Sequence, residues 1–474
     1  MRPFSEFHAH VDDSTAARAD VARWRSSATW AYLLLRPGME FVRQRSNFIL
    51  GWQAAASAGG SLGGGVSAGA VGRAGRPPLG SWMILPALTT PATQTVLPSN
   101  DALYGAAHVE LDRVGPVVLT VPANVDDRYY SVTVMDAHFN NVAHIGPQWT
   151  GNDAGSFALL PPGWHGDLPE AVRPIACPTV SVALFNRMLV QYADGDIDTV
   201  RAWQAGLRIS PLVSWPDVDA TPPDVPIDDL VHPEINALTD ASEYMRIGVE
   251  HLRRNPMVME ADWMSKLATG LVSRDGGASQ TGTALEAGAH DATLMIDSTL
   301  ATWPRINGWM MPDPELGLPN PDVLRSAAFQ QFQIGSNDVA EAAYYFADDD
   351  VEGVPLDGSG GRVYELAFRR QDLPTVAPSG YWSLTMYGED SLLVANPIDR
   401  YATRVTRPGT VRAEDGGVTF TLSAVRPPGV PEPNWLPAPA GRFRLGIRVY
   451  YPDVEAVRRG WAPPAVRETA ETSL

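Results

Sequence analysis

Near the N-terminus apolar side chains recur at helical spacing. Val21, Trp24, Trp30 and Leu33 to Leu35 follow a capping run at Asp12 to Thr15, and Met39 to Trp52 repeats the pattern. This periodicity predicts two helices, the first closed by Arg36-Pro37-Gly38. Residues 54–80 are Gly/Ala-rich with almost no large side chain, which predicts a loop and, through its glycine hinges, a candidate lid. From Leu97 to about Leu184 the period shortens to two, in runs such as VGPVVLTVP and RYYSVTVMD bounded by Pro, Gly and Asn-Asp turns. Helical spacing returns in DIDTVRAWQAGLRI, ASEYMRIGVEHLRR, Pro256 to Trp303, PDVLRSAAFQQFQIG and DVAEAAYYF. Beyond Gly361 the runs RVYELAFR, YWSLTMYG, GVTFTLSAV and RFRLGIRVYYP are β again. No repeat of about 20–50 residues is visible.

The order divides the chain into N-terminal helices (1–96), a β module (97–205), a helical middle section (206–350) and a second β module (351–474). The expected fold class is α+β, with two β-sandwich or jelly-roll-like modules and helices packed on and between them.

Charge and composition narrow the partners. The net charge of -18, from Lys+Arg 36 against Asp+Glu 54, argues against nucleic acid and anionic membranes. No segment reaches the roughly 18 uninterrupted apolar residues of a membrane span. The acidic, histidine-bearing N-terminus lacks the basic and apolar regions of a secretory signal, so a cytoplasmic location is expected, although a chain with its signal removed would look the same. Of the basic residues Lys266 is the single lysine, which nearly excludes a Schiff-base mechanism. The richness in alanine, glycine, proline and arginine fits a GC-rich, bacterial genome, so an exposed arginine says little. An arginine inside an apolar stretch says more, because a buried guanidinium must be paired. The single cysteine, Cys177, excludes disulfide and Cys-rich metal frameworks within one chain and reads as buried packing. GxSxG, Walker and dinucleotide-binding patterns are absent.

Several runs point to a family. LPSNDALYGAAHVELDRVGPVVLTVP, DDRYYSVTVMDAHFNNVAHIG, GSFALLPPGW and RPIACPTVSVALFNRMLV resemble the N-terminal half of proteins carrying domain of unknown function 1254. RVYELAFRRQDLPTVAPSGYWSLTMYGED, ANPIDRYA, NWLPAPAGRFRLGIRVYYP and GWAPP resemble its usual partner, domain of unknown function 1214. The resemblance implies two β-rich domains with helices on and between them, and a largely undefined activity. It also singles out the Asn-Asp loop beside an aromatic residue, here Asn100-Asp101 and Tyr104. The Gly/Ala-rich insert is longer than the family pattern, and His138 and His144 stand where that pattern requires no histidine.

Three constellations carry candidate chemistry. Asn100-Asp101 with Tyr104 lies on a turn entering the first β module, where turn and cap chemistry is the bland alternative. Arg128, Asp136 and His138 would share one face if 128–138 were a single strand; a structural ion pair competes with substrate anchoring. In the C-terminal module Asn396, Arg400, Tyr401, Asn434 and Trp435, with Arg448 and Tyr450 on the last long strand, suit a carboxylate, carbonyl or hydroxylated ligand, or ordinary turns and packing.

These readings predict an enzyme with hydrolase- or lyase-like acid/base chemistry on a small or medium organic molecule, in a cleft between the β modules. Asp101 or Asp136 would be the acid/base, Tyr104 or Tyr401 a proton donor and Arg400 an anion clamp. The substrate-binding set is Asn100, Arg128, His138, Asn396, Asn434 and Trp435. No cofactor is required, and a homo-oligomer stays open. Two alternatives remain: a noncatalytic carbohydrate or hydrophobic-ligand binder using Trp382, Tyr387 and Trp435 as an exposed stacking shelf, and a metal-dependent oxygenase or hydrolase using His138, His144 and Asp136.

Overall fold

The computed structural model describes residues 13–57, 79–93, 96–124, 126–232, 235, 237–257, 266, 268–270 and 279–469. It opens with one helix, Asp13–Ser57, in place of the two expected. Pro37 lies inside it. A proline costs the helix one N–H donor, but its fixed φ is helical, and burial on both sides of the interruption offsets the loss. Leu33, Leu34, Leu35, Met39, Phe41 and Val42 are all buried. The expected loop 54–80 begins inside this helix, and residues 58–78 lie outside the described residues.

Two compact units emerge. The first joins residues 1–46, 229–302 and 319–334. Here Ala241–Arg254 starts at Asp240, whose carboxylate accepts the Glu243 N–H, and its apolar stripe of Tyr244, Met245, Ile247 and Leu252 is buried. Ser279–Ala301 and Val323–Phe332 complete a core with Leu33, Leu285, Ile296 and Ala327. No helix among the described residues is long and apolar enough to cross a membrane.

The second unit, 47–228, 303–318 and 335–474, holds both β modules. Each is a sandwich, and the two share one topology. In the N-terminal module the larger sheet runs Met83–Ile84, Ala102–Glu110, Ser181–Leu189, Tyr130–Met135, Asn141–Ile145. Its partner sheet runs Arg173–Ala176, Gly155–Leu160, Val117–Val121, Arg208–Pro211. In the C-terminal module Trp309–Met310, Ala342–Ala347, Phe443–Pro452, Val376–Gly388 and Ala402–Thr403 repeat the first order, with Arg305–Ile306 added at the edge. Trp435–Pro437, Val418–Ser423, Val363–Phe368 and Arg467–Glu468 repeat the second. Even the single parallel pairing recurs, Gly155–Leu160 with Arg173–Ala176 and Val418–Ser423 with Trp435–Pro437. Short echoes survive in sequence: Leu97-Pro-Ser-Asn-Asp101 against Ile334-Gly-Ser-Asn-Asp338, and Tyr129-Tyr-Ser-Val-Thr133 against Tyr381-Trp-Ser-Leu-Thr385.

One expected helix is a strand. Within DVAEAAYYF the residues Ala342–Ala347 pair with Phe443–Pro452 from Ala342 opposite Tyr450 to Ala347 opposite Leu445. Alanine and glutamate favour a helix locally, but a strand covered on both faces is apolar throughout, and the pairing overrides the propensity. DIDTVRAWQAGLRI likewise divides into the helix Asp196–Gln204 and the strand Arg208–Pro211.

The helical core leaves no room at Gly288. A Cβ there would lie 2.5 Å from Ala28 Cβ and 2.7 Å from the Arg25 carbonyl oxygen. Gly288→Val should therefore cost about 1–3 kcal/mol by overpacking. Urea unfolding followed by circular dichroism checks this, and an unchanged midpoint would mean that the contact yields.

Candidate functional site

The larger sheet of each module buries alternate residues in its own sandwich core. Tyr130, Val132, Val134, Val182 and Leu184 do so in the first module, and Trp382, Leu384, Ile447 and Val449 in the second. Period two then turns Ser131, Arg187 and Tyr104 to the opposite face of the first sheet, and Ser383, Arg448 and Tyr344 to that of the second. Register lines them up: Tyr104 pairs with Arg187 and Arg187 with Ser131; Tyr344 pairs with Arg448 and Arg448 with Ser383. The duplicated fold thus carries a duplicated Tyr-Arg-Ser row.

The two faces meet. Tyr129 packs against Tyr450 and Tyr381 with ring centroids 4.7 and 5.4 Å apart, and the Tyr451 hydroxyl donates to the Tyr130 carbonyl at 3.0 Å. Each arginine reaches the loop entering the other module. Arg187 donates to Asn337 Oδ1 at 3.0 Å and to the Gly335 carbonyl at 3.2 Å. Arg448 donates to the Leu97 carbonyl and to Tyr387, whose own hydroxyl donates to the Pro98 carbonyl at 2.7 Å. Leu97 and Gly335, one position apart when the two loops are aligned, both have left-handed backbones, φ 48° and 62°.

Hydrogen-bond donors dominate this interior. Among the described residues neither Arg187 nor Arg448 has a carboxylate within ion-pair distance. Burial works against the charge of each, but surrounding phenols outweigh it and keep both protonated. The Tyr104 and Tyr344 oxygens accept the N–H groups of Ser99 and Asn337 at 3.2 and 3.4 Å, and neither phenolic proton has an acceptor among the described residues. Ser383 Oγ and Asn337 Nδ2 are buried without a hydrogen-bond partner. Such a set can hold a carboxylate or carbonyl oxygen.

Two acids flank it. Glu341, fully buried, accepts from the Tyr129 hydroxyl and Trp149 Nε1, both at 2.6 Å. Burial lifts its carboxyl above the ordinary value against the pull of His144, Tyr129 and Trp149. Asp101 sits 3.2 Å from Arg404, and its Oδ2 has no hydrogen-bond partner.

Of the residues expected from sequence, Asp101, Tyr104, Arg448 and Tyr450 belong to this interior; the others are held elsewhere. Asn100 Nδ2 donates to the Thr89 carbonyl at 2.6 Å. Arg128 is a structural ion pair with Asp196 at 2.8 Å and with Asp126. The strand containing Tyr130 ends at Met135, so Arg128, Asp136 and His138 do not share one strand face. Asp136 instead accepts the N–H groups of His138 and Asn140 at 2.8 and 2.9 Å, closing a turn, and His138 is buried beside it. Arg400 is committed to Glu432 and to the carbonyls of Glu432 and Trp435, and Asn396 brackets its backbone at 3.1 and 2.8 Å. Tyr401 donates to Asp399 at 2.8 Å. Asn434 ties Val411, and the Trp435 indole donates to the Ser423 carbonyl at 3.0 Å.

The metal triad does not assemble. His144 places Nε2 2.8 Å from Asp338 and Nδ1 3.3 Å from Thr133, and no three His, Cys, Asp or Glu side chains gather for a metal among the described residues. Nor is there a stacking shelf on Trp382, Tyr387 and Trp435, which are all buried.

Comparison with known proteins places these features. Residues 80–211 match the family described as protein of unknown function DUF1254, and 341–454 match DUF1214. The chain belongs to this two-domain family. The VPA0106 protein from Vibrio parahaemolyticus, known from a crystal structure, is 18% identical with a TM-score of 0.65 over 94% of this chain and 100% of its own. An uncharacterised protein from Burkholderia cenocepacia aligns at 12% identity and TM-score 0.43 over 96% of both chains. No curated protein matches. The first likeness shows the fold alone. The DUF1254 match contains Tyr104, Ser131 and Arg187; the DUF1214 match contains Tyr344, Ser383 and Arg448.

Arg187, Tyr344 and Glu341 escaped the sequence reading. An arginine interrupting the apolar strand ALFNRMLV was the available signal for the first. The other two lay in the segment assigned to a helix.

Glu341 generates a pH prediction. An ordinary glutamate titrates near 4.5. The folded state holds this proton more tightly than the unfolded chain, so its contribution to stability declines as pH rises above that value. Glu341→Gln should thus gain stability relative to wild type as the pH rises from about 5 to about 7. Urea titrations at both pH values measure it; a difference that does not change with pH would show that Glu341 is not raised.

Proposed function

We propose that this DUF1254–DUF1214 protein is an enzyme that binds a small organic anion at the doubled Tyr-Arg-Ser face and processes it by acid/base chemistry of hydrolase or lyase type. The observation that carries this reading is the imbalance of donors over acceptors: two buried guanidiniums without a carboxylate and two phenolic protons without an acceptor. A buried charge without a counter-ion costs several kcal/mol, and a bound carboxylate removes that cost at both arginines. In this reading Arg187 and Arg448 hold the charge. Tyr104, half-buried and with its ring 6.0 Å from the Arg187 guanidinium, delivers a proton to the developing anion, and Asp101 lies nearby as a base. Tyr104 replaces Tyr401, and the two interior arginines replace Arg400, which is paired with Glu432 and holds loop carbonyls.

The test is thermal melting with a panel of small carboxylates (acetate, succinate, benzoate and a 3-oxo acid), with proton NMR recorded for turnover. At least one member should raise the melting temperature by a few degrees, the shift given by about 3 kcal/mol of binding at a hundredfold excess over Kd. Tyr104→Phe should fold, with no more loss of stability than the unpaired Ser99 N–H explains, about 1–3 kcal/mol, and lose turnover. Arg448→Gln should lose the ligand-induced shift. If no carboxylate shifts the wild type, or Tyr104→Phe turns over the substrate normally, the reading fails.

A further inference from the structure

The helical unit contains a cavity of about 630 Å³ that none of the chemistry above uses. That volume falls in the range of small-molecule sites. One end is polar: Arg36 and Arg43 both pair with Glu40, at 2.7 and 2.6 Å. Among the described residues a single carboxylate thus serves two guanidiniums, which leaves a surplus of positive charge on them. Burial, reinforced by Arg45, holds the His232 imidazole below its ordinary value, so it adds no second charge near neutral pH.

Two buried donors at the same end are unpartnered. The Tyr244 hydroxyl, on a side chain 3% exposed, sits beside the Arg36 guanidinium, but among the described residues its proton has no acceptor and Arg36 Nε has no hydrogen-bond partner. Such groups are rare, because each forfeits its hydration without replacement. Tyr244 is held in place by stacking on Tyr32, with centroids 5.1 Å apart. The rest of the wall combines an apolar stretch, Met39, Val42, Ile235, Ala237 and Leu238, with the polar Thr293 and Gln331.

We propose that this cavity is a second ligand site, one that takes an organic acid with an apolar tail. The carboxylate meets Tyr244 and Arg36, and the tail lies along Met39, Val42 and Leu238. An oxygen acceptor satisfies both idle donors, its negative charge balances the surplus guanidinium, and the tail covers the apolar wall. The site is independent of the Tyr-Arg-Ser face, and its ligand need not be that site's substrate.

Isothermal titration of the full chain with sodium decanoate tests it, with 1-decanol as the neutral counterpart. Wild type should bind about one equivalent of decanoate, and decanol at least fivefold more weakly. Tyr244→Phe removes only an unsatisfied hydroxyl, so the fold should be unharmed or slightly stabilised while decanoate affinity drops at least fivefold. Val42→Trp fills the cavity and should abolish binding. Tyr104→Phe should leave decanoate affinity unchanged, which separates this site from the other. Absence of decanoate binding to wild type overturns the proposal, as does equal affinity in Tyr244→Phe and Val42→Trp.

Discussion

Burial of two guanidiniums where the β modules meet is the constraint on which the rest of the second unit depends. Neither Arg187 nor Arg448 has an acid partner among the described residues, yet each must be satisfied, since an unpaired buried charge costs several kcal/mol. The solution is reciprocal. Arg187, from the first module, binds carbonyl oxygens at 335 and 337; Arg448, from the second, binds the carbonyl of Leu97 and the tyrosine that holds Pro98. Each module's central strand therefore fixes the other's entry loop. The left-handed turns at Leu97 and Gly335 are held from across the interface.

The doubled arrangement also explains the surplus of donors. Two sandwiches of like topology, each with a Tyr-Arg-Ser row on its outer face, meet across those faces and place donors opposite donors. The acids are where the copies diverge. Asp101 lies against Arg404, whereas Glu341 sits among the neutral donors Tyr129 and Trp149. One half thus holds a paired carboxylate and the other a carboxyl lifted by burial.

Fold class and family were legible because β alternation, turn residues and the family runs are local signals. The site was legible only in part. Asp101 and Tyr104 lie beside a turn that local reading detects. Tyr344 and Glu341 lie in AEAAYY, whose composition favours a helix, and only pairing with Phe443–Pro452 makes it a strand. The repeat escaped for a related reason: the matching Tyr-Arg-Ser residues are separated by unequal insertions, so no fixed period links them. Arg400, Asn396 and Asn434 hold loop carbonyls, and arginine beside aromatics and amides is also what such a clamp requires. Residue type does not say whether hydrogen bonds are already spent.

The most direct test of the donor-rich interior is anomalous scattering from crystals soaked in sodium bromide. A bromide bound beside the Tyr104 or Tyr344 hydroxyl, within reach of the Arg187 or Arg448 guanidinium, is the predicted result. Bromide found only at exposed arginines, with none at these four side chains, would show that the loops already satisfy the interior and that it is a structural latch between the modules.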